Sequence, residues 1–206
     1  MAERIALVDY GAGNLKSVEN ALRAAGAERV DVTSDPATVR AADRIVLPGV
    51  GAFAACMGAL SAVPGMIDAM EETAVAGARP FLGICVGMQL LATEGEEHGA
   101  HPGLGWIGGT VRVLAPSDPA LKVPHMGWND VVPDRTHRLI ERGEAYFLHS
   151  YAFDVADLTH RLATTDHGGP ITAAVGRDNI VGVQFHPEKS QAYGLAFLSR
   201  FLEWKP

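Results

Sequence analysis

The sequence predicts an α/β protein, a three-layer sandwich around a central, mostly parallel sheet with antiparallel additions in its C-terminal half. Three observations lead there. Short runs rich in Val and Ile alternate with segments of helical period along the first half of the chain, the rhythm of βαβ units. From Thr110 onward the texture changes to short strand-like runs punctuated by Gly, Pro, Asn and Asp. No internal repeat, heptad run or low-complexity linker marks a boundary, so residues 1–206 read as one domain.

Arg4 to Val8 is the first apolar run and reads as a strand, and Leu15, Val18, Leu22 and Ala25 then share one helical face. Val30 to Thr33 and Arg44 to Leu47 are strands again. No charge occurs between Ile45 and Ile67, which imitates a membrane span, but Pro48, Pro64 and four glycines break any continuous helix there. Strand, loop and helix is the reading for that segment. A helical stretch continues through Ile67, Met70 and Val75, and Phe81 to Ile84 is short and apolar enough to be a buried parallel strand. Val111 to Leu114, Ala145 to Leu148, Arg161 to Thr164, Thr172 to Val175 and Val181 to Phe185 follow as strands, closed by a helix from Tyr193 to Glu203.

Seventeen Lys+Arg against 24 Asp+Glu give a net charge of −7, the wrong sign for sequence-independent binding to nucleic acid or an anionic membrane. The two cysteines, Cys56 and Cys85, are too few for a disulfide framework and predict free thiols in a reducing compartment. Only four apolar residues, Ile5 to Val8, precede Asp9, so no export signal is read at the start and a cytoplasmic location is expected.

The sharpest local pattern is Phe81-Leu82-Gly83-Ile84-Cys85-Val86-Gly87-Met88-Gln89, a strand that ends in a G-x-C-x-G turn and passes straight into a helix. Two glycines let strand and helix approach, the nucleophile sits on the sharp turn, and the helix N-terminus favours thiolate. The amide of Val86 is placed to donate to an oxyanion. A small buried cysteine packing between strand and helix is the plainer alternative, and the flanking glycines weigh against it. A thiolate that transfers acyl groups needs a histidine and a group to orient it, which Gln184-Phe185-His186-Pro187-Glu188 offers at a strand end. Pro187 favours an extended His186, so His186 and Glu188 can share a side, His186 as base then acid and Glu188 as its orienter. By itself H-x-E also describes a solvated strand-end histidine.

A second oxyanion amide has to come from another loop, and Leu47-Pro48-Gly49-Val50-Gly51-Ala52-Phe53 supplies glycines after a strand, although an ordinary turn has the same composition. It lacks the Lys of a phosphate loop. Tyr10-Gly11-Ala12-Gly13-Asn14 has two glycines of a dinucleotide fingerprint, but Lys16 stands where the third belongs, so no nucleotide cofactor is expected. His98 and His101 lie near Glu96 and Glu97 in a Gly/Pro-punctuated segment without a metal-ligand spacing; a solvated loop and no metal are expected.

These segments resemble the class I, triad-type glutamine amidotransferases nearly end to end. The resemblance rests on Asp9-Tyr10-Gly11-Ala12-Gly13-Asn14-Leu15, Pro48-Gly49-Val50-Gly51-Ala52-Phe53, Gly83-Ile84-Cys85-Val86-Gly87-Met88-Gln89, Pro124-His125-Met126-Gly127-Trp128-Asn129, His149-Ser150-Tyr151 and Gln184-Phe185-His186-Pro187-Glu188-Lys189-Ser190. The first, second and fourth segments point further, to the free-standing glutaminase subunits of imidazole glycerol phosphate synthase. Val86 stands where that family more often has Leu.

The resemblance implies a flavodoxin-like sandwich, hydrolysis of glutamine through a thioester on Cys85, no cofactor, and a separate (β/α)₈-barrel cyclase as partner in a heterodimer. By matching position, Gln89, Glu97 and the backbone around Ser150 and Tyr151 hold the glutamine. Gly51 lies beside its amide carbonyl, and Val50 and Val86 supply the oxyanion donors. Asn14, Met126, Trp128 and Lys189 form the partner surface, although periodicity alone leaves Trp128 open to a core reading. A free-running glutaminase wastes ammonia, so the PGVG loop is expected to be misaligned until the partner is bound. Three alternatives remain: an amidotransferase of the same class serving pyridoxal phosphate, guanylate or anthranilate synthesis, a stand-alone cysteine hydrolase of γ-glutamyl bonds, and a non-catalytic binding module.

Overall fold

The apolar runs of the first half become β1 (Arg4–Val8), β2 (Arg29–Thr33), β3 (Arg44–Gly49) and β4 (Phe81–Cys85) in the computed structural model, which describes residues 2–206. Between them lie α1 (Leu15–Ala24), α2 (Pro36–Arg40), α3 (Phe53–Ser61) and α4 (Met66–Met70), the last continuing as a π-helical turn over Glu71–Ala76. After Cys85 come α5 (Val86–Gln89), β5 (Glu94–Gly95), β6 (His101–Pro102), β7 (Gly109–Val113), β8 (His125–Pro133) and β9 (Gly143–His149). The chain then forms β10 (Tyr151–Val155), β11 (Arg161–Asp166), β12 (Pro170–Arg177), β13 (Ile180–Val183), a 3₁₀ turn over Pro187–Lys189 and α6 (Gln191–Glu203).

The main sheet has the order β2-β1-β3-β4-β13-β12-β11-β8-β9. Its first five strands are parallel, because each pair is joined through helical or longer segments, and every pairing from β13 outward is antiparallel. The sheet is therefore evenly mixed rather than mostly parallel. The reason is loop length: Asp178 and Asn179 alone join β12 to β13, and His167 to Gly169 alone join β11 to β12, both too short for a crossover. A second, four-stranded sheet has the order β10-β7-β5-β6. It takes in the segment around His98 and His101, where Glu94 to Pro102 closes as a small hairpin in place of the expected loop.

Burial follows the sheet. All residues of β3, β4 and β13 are buried, as parallel central strands require. α1 packs on α6, and α4 on α2 and α3, which supplies the two helical layers. Among the described residues no single helix is long and apolar enough to cross a membrane, and the apolar α3 and the helix after it meet at 92°.

Candidate active site at the ends of three parallel strands

β3, β4 and β13 are neighbours and run the same way, with Gly49 opposite Cys85 and Val183 opposite Ile84, so their carboxyl ends deliver the PGVG loop, Cys85 and His186 to one place. Cys85 holds φ +54° and ψ −112°, a conformation that L side chains rarely adopt and that turns the thiol out of the sheet. Glycines make the turn sterically feasible. A Cβ on Gly83 would sit 2.5 Å from the Gly87 carbonyl oxygen, a Cβ on Gly87 would run into the Leu47 carbonyl, and one on Gly49 would sit 2.8 Å from both the Gly87 nitrogen and Tyr10 Oη. The helix that follows is a single turn, Val86–Gln89, so the dipole facing the thiol is that of a few peptides.

His186 Nδ1 lies 2.8 Å from Glu188 Oε1, and both side chains are almost fully buried. The second Glu188 oxygen is buried without a hydrogen-bond partner among the described residues. Burial disfavours the imidazolium, but hydrogen bonds to the Cys85 side chain and to Glu188 outweigh it and hold His186 at about 9. The backbone is pinned as well: Ser190 Oγ donates to the His186 carbonyl at 2.6 Å, the Tyr146 N–H donates to Ser190 Oγ at 2.9 Å, and the His186 N–H donates to the Tyr146 carbonyl at 2.9 Å.

A cleft of about 290 Å³ opens over the thiol, lined by Val50, Gly51, Cys85, Val86, Gln89, Glu97, Pro124, Leu148, His149, Ser150, Tyr151, His186 and Lys189. The structure thus gathers every triad, oxyanion and glutamine-binding residue expected from the sequence except Glu188, which stands behind His186. A second cleft of equal volume, beside Arg112, Asp154 and Thr172, contains no cysteine or glutamate, so chemistry and not size distinguishes the Cys85 cleft. The loop on the far wall is tied down from beneath. Tyr10 Oη donates to the Pro48 carbonyl at 2.8 Å and the Cys56 thiol, pushed up by burial, donates to the Val50 carbonyl at 3.4 Å. Gly51 beside it has φ +111°. Glu97 Oε2 accepts the Phe53 N–H at 2.7 Å, at the start of α3.

Further groups at the site come from positions outside the elbow, the H-x-E pair and the glycine loop. Gln184, wholly buried, takes a hydrogen bond from Gln89 Nε2 at 2.9 Å on its Oε1 and sets its own amide nitrogen 3.7 Å from Cys85 Sγ. A polar residue inside the apolar run Val181 to Phe185 was the available signal. The Leu148 carbonyl lies 3.9 Å from the same sulfur. Outside the cleft, Met126 is 63% and Trp128 46% exposed, which removes the core reading of Trp128. Trp128 meets the Tyr146 ring edge-on at 6.2 Å and Lys189 Nζ stands 5.9 Å from that ring. Asn14, exposed at the start of α1, spends no side-chain bond on capping it, and α1 packs against the turn that carries Lys189.

A mixed α/β sandwich that presents a strained cysteine beside a carboxylate-backed histidine defines the class of thiol-dependent α/β amidohydrolases. The model of the family "Glutamine amidotransferase class-I" matches residues 6–203. The imidazole glycerol phosphate synthase subunit HisH of Zymomonas mobilis is 64% identical over 98% of this chain and 96% of its own length. That of Rhodospirillum rubrum is 57% identical over 98% and 100%. The structure of PurLQS from Thermotoga maritima has the same fold, with a TM-score of 0.70 at 19% identity over 98% of this chain and 99% of that one. The chain belongs to the class-I glutamine amidotransferase family and, within it, to the HisH subunits of imidazole glycerol phosphate synthase.

Proposed function

We propose that the chain hydrolyses L-glutamine to glutamate and ammonia, and passes the ammonia to a separate (β/α)₈-barrel cyclase subunit that makes imidazole glycerol phosphate and aminoimidazole carboxamide ribotide in histidine biosynthesis, in the cytoplasm. The observation that carries this is the backing of His186 by Glu188 at 2.8 Å, next to a cysteine held on a strained turn. With its proton already held on His186 Nε2, Cys85 Sγ attacks the side-chain carboxamide carbon. The amides of Val86 and Val50, beside Gly51, take the charge on the tetrahedral oxygen. His186 then protonates the departing nitrogen, ammonia leaves, and a γ-glutamyl thioester remains. Water attacks that thioester as His186 accepts its proton, and glutamate departs with that proton kept on His186, which restores the starting pair.

Recognition of the substrate's amino-acid end falls to Gln89, Glu97, Ser150 and Tyr151. Gln89 Nε2 already donates to the Tyr151 carbonyl and to Gln184, each at 2.9 Å, so its carbonyl oxygen is the part that meets the substrate ammonium, beside the Glu97 carboxylate. Asn14, Met126, Trp128 and Lys189 form the face toward the cyclase. The test is glutamate release by the chain alone and with the cyclase plus its ribulosyl ligand, with Cys85→Ala as control. Stimulation that vanishes in the variant supports the reading; an inert wild type in every mixture sinks it.

A further inference from the structure

We propose that His125 and His149 are positioning residues of the glutamine site: two neutral rings in one hydrogen-bonded line that fix the Tyr151 wall of the cleft to the strand bearing Met126 and Trp128. This rests on the glutaminase reading above. Both rings are buried. Asn129 at the outer end gives one amide hydrogen to the Asp166 carbonyl at 2.7 Å, and its oxygen accepts the Asp130 N–H at 2.8 Å, which fixes the way its amide faces. Its other hydrogen can only go to His125 Nε2, 3.0 Å away. His125 therefore carries its proton on Nδ1 and donates to His149 Nε2 at 3.1 Å. His149 in turn carries its proton on Nδ1 and donates to the Tyr151 carbonyl at 2.9 Å. Every donor meets an acceptor only when both rings are neutral, and burial holds both well below the ordinary imidazole range.

The line ends where the substrate is held. The Tyr151 carbonyl also accepts from Gln89, whose amide passes on to Gln184 and so to the nucleophile. Two apolar side chains would fill the same space with no need of partners, since His125 already stacks on Phe147 at 4.9 Å and on His167 at 4.3 Å. A metal does not account for the rings either, because among the described residues no three ligand side chains converge.

The full chain, mixed with the cyclase and its ribulosyl ligand, is assayed as His125→Phe, which keeps the stacking, and His125→Asn, which keeps a donor toward His149. Readouts are KM and kcat for glutamine and the rates at which Cys85 is alkylated by iodoacetamide and by the glutamine-shaped diazo-oxo-norleucine. His125→Phe should raise KM about tenfold and slow the glutamine-shaped reagent alike, with kcat within about twofold and iodoacetamide unaffected, while His125→Asn recovers to within about threefold. An unchanged KM in His125→Phe, an equal loss of iodoacetamide labelling, or an Asn variant no better than Phe overturns the proposal. Should His125→Phe not fold, Asn129→Leu, which removes the donor that sets the direction of the line, carries the same expectation at about threefold, and an unchanged KM there overturns it equally. A wild type inert to glutamine removes the glutaminase reading and this inference together; an active wild type with unaltered variants removes this inference alone.

Discussion

His186 and Glu188, two residues apart across Pro187, meet at 2.8 Å with side chains 3% and 2% exposed, so the carboxylate decides which ring nitrogen is free to face Cys85. In Glu188→Gln the amide can turn its NH₂ to Nδ1 and leave the proton on Nε2, the nitrogen that has to accept one. We expect kcat to fall by about 10² to 10⁴ with KM within about threefold. Steady-state kinetics with the partner present checks this, and a kcat within threefold of wild type would mean that Glu188 does not set the tautomer.

Gly87 has no room for a side chain, because a Cβ there would overlap the Leu47 carbonyl of the neighbouring strand. Gly87→Ala should cost about 2–3 kcal/mol and lower the melting temperature by roughly 5–10 °C, through the displaced strand and not through any lost polar contact. Thermal unfolding followed by circular dichroism reads it. A stability equal to wild type would show that β3 and α5 can separate without cost.

The parallel half of the fold was legible because β1, β3, β4 and β13 are buried and read as continuous apolar runs, and the G-x-C-x-G turn because close packing leaves only glycine there. β8 was not legible, for a specific reason. Its exposed face carries Met126 and Trp128 and its inner face His125 and Asn129, so the usual alternation of apolar inside and polar outside is reversed and no strand pattern emerges. The triad positions were readable from residue type at strand ends. Gln184 and the two buried histidines were not, since their value lies in donors and acceptors on distant strands that only the folded sheet aligns.

That reversal on β8 makes Trp128 a test of what the exposed face is for. With 46% of its surface free and its ring edge-on to Tyr146, Trp128→Ala should lower the stability of the isolated chain by no more than about 1 kcal/mol. Affinity for the cyclase should fall by about 2 kcal/mol, some thirtyfold in Kd, because a large aromatic at an interface buries most of its area on binding. Calorimetric titration of the cyclase measures it. Unchanged affinity would move the partner surface elsewhere.

Opposite limbs of the pH–stability profile belong to different histidines. Burial, aided by His167 in both cases, lowers His125 to about 4, and burial lowers His149 to about 3 despite the Tyr151 carbonyl that favours its proton. Unfolded, both titrate near an ordinary 6.5. As pH drops below that value the unfolded chain takes up protons that the folded chain refuses, so stability falls toward acid by up to about 1.4 kcal/mol per pH unit for each group. His186 behaves in the opposite sense. Its folded value of about 9 lies above the ordinary one, so its contribution is whole below about 6.5 and is lost as pH rises through 9. Urea midpoints between pH 4.5 and 10 should therefore peak near 6.5. His149→Asn should flatten the acid limb alone, and Glu188→Gln, which withdraws one of the two supports of the imidazolium, should flatten the alkaline limb alone. Were His149→Asn to leave the acid limb as steep as in wild type, the buried pair would not be neutral in the folded state, and the direction of its hydrogen bonds would have to be redrawn.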